Sequence, residues 1–366
     1  MNFEFSDEQQ ALRDSVRRYL DDRAPRGFVR AVWDDPRGTT DAVWAGLAGL
    51  GVTGLLVPEA AGGSGRGLVD AAVVCEELGR VVNPGPYVSS AVGAAGLVTD
   101  LDPGDPLLDG LAAGTTIATV ALLEPGRRAE WRAPATLADP AGDGWALTGT
   151  KAHVPDLMAA DVVLVTAAAG AELGVFAVDA NDAVREPTPT IDGTRREGTL
   201  TLVGAVARRV GAGDATDAVA VTVDRLHTAW VVDGVGAAQA AMEMAVAYAK
   251  ERRQFGVPIG SFQAVQHLCA DMLRNVELAR AAAYYACWAL DAADRSEAHR
   301  AATMAIAFAS DGLYRVGADV IQTHGGLGYT WEHDAHLFYK RLLTLQSLGG
   351  GAADHLDALA SIVLDP

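Results

Sequence analysis

Basic residues are scarce in this 366-residue chain: 29 Lys and Arg stand against 47 Asp and Glu, giving a formal charge of −18. A surface of that sign repels polyphosphate backbones and anionic bilayers, so neither a nucleic acid nor a membrane is expected as partner. An anionic ligand would have to be met by a few local cations. Cysteine is nearly absent as well. Cys75, Cys269 and Cys287 are odd in number, widely spaced and set among apolar helical residues, which supports neither a disulfide framework nor a metal cluster and leaves reduced, buried thiols. No uninterrupted apolar run approaches the roughly 18 residues of a membrane helix, and Met1-Asn2-Phe3-Glu4 opens without a basic and apolar signal region. A soluble cytoplasmic protein is expected. Aromatic residues are few, internal repeats are lacking, and low complexity goes no further than richness in alanine.

Hydrophobic residues make up 50% of the chain, ample for burial, and the length implies two or three domains. The first hundred residues read as helices broken by glycine and proline. Ser6 is an N-cap candidate before the acidic Asp7 and Glu8, and Leu12, Val16 and Leu20 recur at helical spacing. Further helices are predicted over 44–50 and 69–82, with a loop at 58–63 between them. From about residue 117 the pattern changes to short apolar runs at 116–122, 145–149, 162–165, 174–178 and 198–202, separated by Gly, Pro and Asp. These predict a small, mainly antiparallel, barrel-like β-domain. Long helical patterns then return at about 217–251, 262–292, 296–323 and 336–348, enough for a bundle with short connections. The expected fold is therefore α+β and mainly α: an N-terminal helical domain over 1–115, a central β-barrel-like domain over 116–210 and a C-terminal four-helix bundle over 211–366.

Two segments carry chemistry. Arg252-Arg253-Gln254-Phe255-Gly256 is followed by Pro258-Ile259 and Phe262-Gln263-Ala264-Val265-Gln266, and seventy residues on comes Gln322-Thr323-His324-Gly325-Gly326-Leu327-Gly328-Tyr329. Glycine turns beside Arg and Gln suit a phosphate-rich ligand, because the backbone can approach it while the side chains supply charge and hydrogen bonds. Together they resemble the C-terminal signature of the acyl-CoA dehydrogenases, flavoenzymes that desaturate acyl-CoA thioesters. Pro58-Glu59 to Gly63, Glu76-Glu77-Leu78-Gly79, Leu123-Glu124-Pro125-Gly126 and Gly149-Thr150-Lys151 extend the resemblance over nearly the whole chain. It implies FAD as cofactor, with Arg252 on the flavin pyrophosphate across a subunit interface and Phe255 beside it. It also implies that Gln263, Gln322, Gly325 and Gly326 lie along the cofactor, and that electrons pass to an electron-transfer flavoprotein. The branch it points to is actinobacterial and often heteromeric, so a homo-oligomer or a hetero-oligomer with a related subunit is expected. The Thr330-Trp331-Glu332-His333-Asp334 segment resembles members acting on bulky acyl groups. The acids and imidazoles crowded in Glu332-His333-Asp334-Ala335-His336 lack a third metal ligand at useful spacing, so no metal is expected.

The departures are as informative. Where the family usually has a Gly/Ser-rich turn after Gly126, this chain reads Arg127-Arg128-Ala129-Glu130-Trp131. The family's catalytic glutamate falls either at Gly349 or near Leu226, and neither is acidic. Desaturation needs a proton acceptor poised in a dry site. Asp233 lies seven residues, about two turns, from Leu226 and so shares its face, in an otherwise uncharged stretch. It is the candidate base, with a structural aspartate as the alternative; Asp224 follows behind, since Arg225 beside it suggests a surface pair. The missing glutamates leave two other readings open, a non-catalytic subunit of a heteromeric enzyme and a flavin-dependent oxidase or monooxygenase.

Overall fold

Helix α1 (Asp7–Arg23) begins at a reciprocal cap: Ser6 Oγ accepts from the Gln9 amide at 3.2 Å and Gln9 Oε1 accepts from the Ser6 amide at 3.1 Å. Two of the helix's free N–H groups are thereby satisfied. Val16 and Leu20, on its inner face, are buried. The computed structural model describes residues 5–127 and 129–364; the opening Met1-Asn2-Phe3-Glu4 and Arg128, both weighed in the sequence, lie outside them. After α1 come α2 (Arg26–Ala31), α3 (Asp41–Gly49) and α4 (Leu68–Arg80), then a π-helical segment (Tyr87–Ala94) that continues as α5 (Ala95–Leu101), and α6 (Leu107–Ala113). The segments at 44–50 and 69–82 are thus helical, as predicted. The π segment and α5 are invisible to periodicity because Tyr87 to Val98 is buried on every side, so no polar face marks the turn.

Seven strands follow: β1 (Ala118–Ala121), β2 (Leu137–Ala141), β3 (Gly144–Pro155), β4 (Val162–Ala169), β5 (Glu172–Asp179), β6 (Val184–Thr188) and β7 (Glu197–Val210). Their order is β1-β4-β2-β3-β7-β5, and β5 pairs back onto β4, so the sheet closes into a barrel with β6 added outside β7. Closure removes the free edges that a small sheet would otherwise expose. The pairing is antiparallel except where β4 meets β1 and, at one residue pair, β2. The five apolar runs became β1, β3, β4, β5 and β7. Strands β2 and β6 are short, mostly exposed, and carry Pro140 and Pro187, which hides them from a reading based on alternation. Ser90 of the π segment accepts from the Ala118 amide at 3.1 Å, and Ser89 donates to Asp156 at 2.5 Å, so the helical domain is tied to the barrel by side chains.

The C-terminal part holds α7 (Thr216–Glu251), a hairpin of β8 (Arg253–Gln254) and β9 (Val257–Pro258), then α8 (Gln263–Ala292), α9 (Arg295–His324), α10 (Ala335–Leu345) and α11 (Ala352–Leu364). Short connections make α7, α8 and α9 successively antiparallel. The C-termini of α7 and α9 and the N-terminus of α8 consequently gather at one end of the bundle. Among the described residues no helix is long and apolar enough to cross a membrane. Cys75 and Cys287 are buried and Cys269 is half-buried, all three free; burial pushes their thiols up, which leaves them inert.

Helix α7 crosses α4 backbone to backbone. A Cβ on Gly236 would lie 1.9 Å from the Glu76 carbonyl oxygen, and one on Gly79 would lie 1.9 Å from that of Asp233. The glycine of the Glu76-Glu77-Leu78-Gly79 segment is therefore required by this crossing. Its glutamates are anchors: Glu76 accepts from Arg280 and from the Tyr284 hydroxyl, and Glu77 from Arg17 and Arg80. Gly236→Ala is expected to lower stability by about 1–3 kcal/mol through overpacking, seen as a lower urea midpoint. Gly27→Ala, in α2 with open space around it, should leave the midpoint unchanged or raise it slightly.

Candidate active site

A cavity of about 530 Å³ opens where the barrel, α7, the start of α9 and the Thr344–Ala358 segment meet. That is a small-molecule volume. Its walls are largely apolar, with Leu122, Leu123, Trp131, Ile191, Leu226 and Ile306 among them. Helix α7 contributes Ala220, Val223, His227 and Trp230, spaced so that they fall on one stripe. Both positions at which the family resemblance would place a glutamate, Leu226 and Gly349, line this cavity.

Its carboxylates are already engaged. Glu197 lies 2.8 Å from His153 Nδ1, and Asp354 accepts from the Gly351 amide at 2.7 Å. Asp224 is buried and is held by Arg295 at 2.6 Å and by His299 Nδ1 at 3.0 Å. This corrects the surface pair expected for Asp224: Arg225 turns the other way, to Asp100 at 2.5 Å. His355 Nε2 meets the Leu348 carbonyl at 3.0 Å. His227 has no hydrogen bond among the described residues. Its ring packs edge-on against His355 at 5.2 Å, and a Cβ at Gly349 would lie 2.0 Å from its Nε2. Burial first, then the neighbouring His355, push His227 down to about 4, so it is neutral at pH 7.

Beside the cavity mouth, Glu124 and Lys151 form a buried pair at 3.0 Å. Glu124 also accepts from the amides of Ala135 and Thr136, both at 2.8 Å, and from the Thr136 hydroxyl at 2.7 Å. The residues after Gly126 are thus pinned through this carboxylate, which fixes Trp131 in the wall. Burial raises Glu124, but those amides, the hydroxyl and Lys151 together bring it down to about 2; burial lowers Lys151 to about 8 against the pull of Glu124.

Asp233, read from the sequence as the candidate base or a structural aspartate, is held in buried ion pairs. Arg341 of α10 grips both its oxygens, at 2.9 and 2.7 Å, and Arg195 donates to Oδ1 at 2.7 Å. Burial raises its pKa, yet the two guanidiniums outweigh burial and leave it below the ordinary carboxylate value. It shares a face with Leu226 but lies about 10 Å further along the axis, beyond Trp230, and does not line the large cavity. A carboxylate so held is a poor proton acceptor and a strong cross-link.

The residues singled out for the cofactor lie at the far end of the bundle. Arg252 and Gln263 are exposed at the ends of α7 and α8, and Phe255, at the hairpin tip with φ +52°, is 92% exposed. Gln322, Gly325 and Gly326 are exposed at the end of α9, where an added Cβ on either glycine would meet open space. Tyr248 and His324 stack at 4.7 Å and join the two helix ends; His324 Nε2 is buried without a partner. From His227 to Arg252 is about 37 Å along α7, so one chain does not bring this set to its own cavity. Among the described residues no group of three His, Cys, Asp or Glu is placed to hold a metal.

A family model for the acyl-CoA dehydrogenase N-terminal domain matches residues 6–100, and one for the C-terminal domain matches 213–364. The chain belongs to the acyl-CoA dehydrogenase family. It is thereby an oxidoreductase of a family that uses FAD. Acyl-CoA dehydrogenase FadE34 of Mycobacterium tuberculosis is 34% identical over 98% of this chain, which spans about half (48%) of that protein. Acyl-CoA dehydrogenase IpdE2 of the same organism is 31% identical, with 92% of this chain and 91% of that one covered. Among solved structures, a variant of the Tcur3481-Tcur3483 steroid ACAD is 34% identical with a TM-score of 0.89 over 98% of both chains. The ChsE4-ChsE5 complex from Mycobacterium tuberculosis is 27% identical with a TM-score of 0.90 over the full length of both. His227 and Trp131 were missed by sequence reasoning, although a lone histidine one residue after the Leu226 position was a signal available to it.

Two outcomes follow from these ion pairs. Asp233→Asn strands two buried guanidiniums and should cost on the order of 3–5 kcal/mol, measured by chemical denaturation; an unchanged midpoint would remove the triad from the fold's supports. Glu124, at 4.5 when free and about 2 when folded, contributes stability that is fully present above pH 4.5 and is lost as pH falls towards 2. The stability gap between wild type and Glu124→Gln should therefore narrow across that window.

Proposed function

We propose that this protein desaturates an acyl-CoA thioester, binding FAD jointly with a second subunit and passing electrons to an electron-transfer flavoprotein in the cytoplasm. The observation that carries the reading is the largely apolar cavity at one end of α7 together with a phosphate-type residue set at the other. A single chain holds half of each of two sites, and pairing with an identical or related chain would complete both. The open space over Gly325 and Gly326, the unpartnered His324 Nε2 and the exposed Arg252 fit an extended dinucleotide better than a closed helix end. Arg252 and Gln322 would hold the pyrophosphate and adenosine portion, with Phe255 and Gln263 beside them. When bound, FAD supplies the oxidant for the two-electron step. The chain's own contribution is to exclude water with Leu122, Leu123, Trp131 and Ile306, and to hold the thioester against a pinned Glu124 loop. The steroid ACAD resemblance supports a bulky acyl group.

The purified protein, alone or with its partner subunit, should be yellow, and an acyl-CoA added without oxygen should bleach the flavin band, bulky acyl groups faster than straight ones. A colourless protein in both states overturns the reading. Arg252→Ala should weaken FAD about ten- to a hundredfold, the worth of a charge-assisted bond of roughly 1.5–3 kcal/mol. Undiminished FAD retention would remove Arg252 from the site.

A further inference from the structure

A chain of charge −18 that binds a coenzyme A thioester must hold an anion against its own field, because the diphosphate of the coenzyme has the same sign. The cavity of about 530 Å³ has room for an acyl group and the start of the pantetheine arm, so the nucleotide end stays outside, at the mouth. Three carboxylates line the cavity, Glu197, Asp224 and Asp354, and each is engaged within the chain. Among the described residues of the lining, Arg132 is the one Arg or Lys. It is exposed, on the solvent side of the wall. Its guanidinium carbon lies over the ring of the buried Trp131, 4.4 Å from the centroid, a stacking that leaves the N–H edge of the fork free. Among the described residues the guanidinium has no acidic partner and no acceptor. The turn that carries it is nevertheless fixed: the Arg132 amide donates to Glu130 Oε1 at 2.7 Å, and Glu124 holds the Ala135 and Thr136 amides. Arg127, at the start of the same turn, is committed to the Ala133 carbonyl and to Glu124. Ala129 brings the turn against the segment after α10, since a Cβ on Gly350 would lie 3.5 Å from that of Ala129.

We propose that Arg132 recognises the diphosphate of the coenzyme A moiety, with Trp131 as the platform that holds the guanidinium at the cavity mouth. The inference rests on the acyl-CoA reading above and names a residue that selects the coenzyme end of the ligand. A guanidinium presents paired N–H donors at the spacing of two phosphate oxygens and keeps its charge at any working pH. Stacked on a fixed indole, it has little side-chain freedom left to lose when the ligand arrives. The departure from the family pattern after Gly126 thus supplies the local cation that an acidic chain needs for an anionic ligand.

The test titrates the FAD-loaded oligomer calorimetrically with two unreactive probes, S-octyl-CoA and S-octyl-pantetheine. They share the alkyl and pantetheine parts and differ in the phosphorylated nucleotide. Wild type should bind S-octyl-CoA the more tightly, and Arg132→Gln should lose about five- to tenfold of that affinity, the worth of one solvent-open charge-assisted contact. Its affinity for S-octyl-pantetheine should stay within about twofold. Arg132→Lys should recover part of the loss, and added salt should shrink the gap between wild type and Arg132→Gln. Undiminished S-octyl-CoA affinity in Arg132→Gln overturns the proposal. So does an equal loss for both probes, which places the guanidinium on the alkyl or pantetheine end or in the fold, and so does a wild type that binds the two probes alike. None of these outcomes touches the desaturation reading, which falls instead if no acyl-CoA bleaches the flavin of the wild-type oligomer.

Discussion

One buried cross-link, the Asp233–Arg341 pair with Arg195 beside it, ties the three parts of the molecule together behind the cavity wall. Arg341 of α10 reaches Asp233 on α7, the carbonyl and hydroxyl of Thr194 in the loop before β7, and the carbonyl of Asn83 after α4. All three parts of the molecule thus converge on a single guanidinium. Placing two charges in the interior is costly, and the pair is held only because nearly every donor finds an acceptor. Conformational definition is the return. With α10 fixed to α7, the Leu348–Gly350 segment has one place to go, and Trp230 and Leu348 divide the triad from the large cavity.

Glycine works in the same direction by subtraction. Gly79 and Gly236 let α4 and α7 touch through their backbones, and that approach sets the height at which Asp233 meets Arg341. Gly349 lets the chain after α10 pass over His227 in a conformation that costs other residues strain. At all three positions a methyl group would lie within about 2 Å of a neighbouring atom. The helix crossing sets the frame, and the turn sets the cavity wall.

Much of the fold was legible in the sequence, because long helices and core strands announce themselves by period. What stayed hidden was hidden for physical reasons. Tyr87 to Val98 has no solvent face to create a moment, and β2 and β6 are held by neighbours rather than by their own alternation. The site divided similarly. Glycine turns flanked by Arg and Gln read as a phosphate-type set, and the fold gathers them at the ends of α7, α8 and α9. The fate of an acid could not be read. Asp233 lies in an uncharged stretch of α7 and Asp224 beside an arginine that it does not pair with, while their partners Arg341, Arg195, Arg295 and His299 lie 38 to 108 residues away. Only tertiary structure decides which carboxylate is occupied, and in this chain it occupies both.

Electrostatics explains why the cavity's carboxylates are engaged in a chain so rich in them. A chain carrying −18 has every reason to pair its buried acids, because an unpaired one would be driven to its neutral form by desolvation. The same desolvation acts on His227 in the opposite sense and keeps it uncharged. Asp224, locked between Arg295 and His299, sits at a distance where it favours protonation of His227 without bonding to it. Pairing therefore takes the acids out of play, and the turn after α10 closes over the neutral imidazole at a glycine.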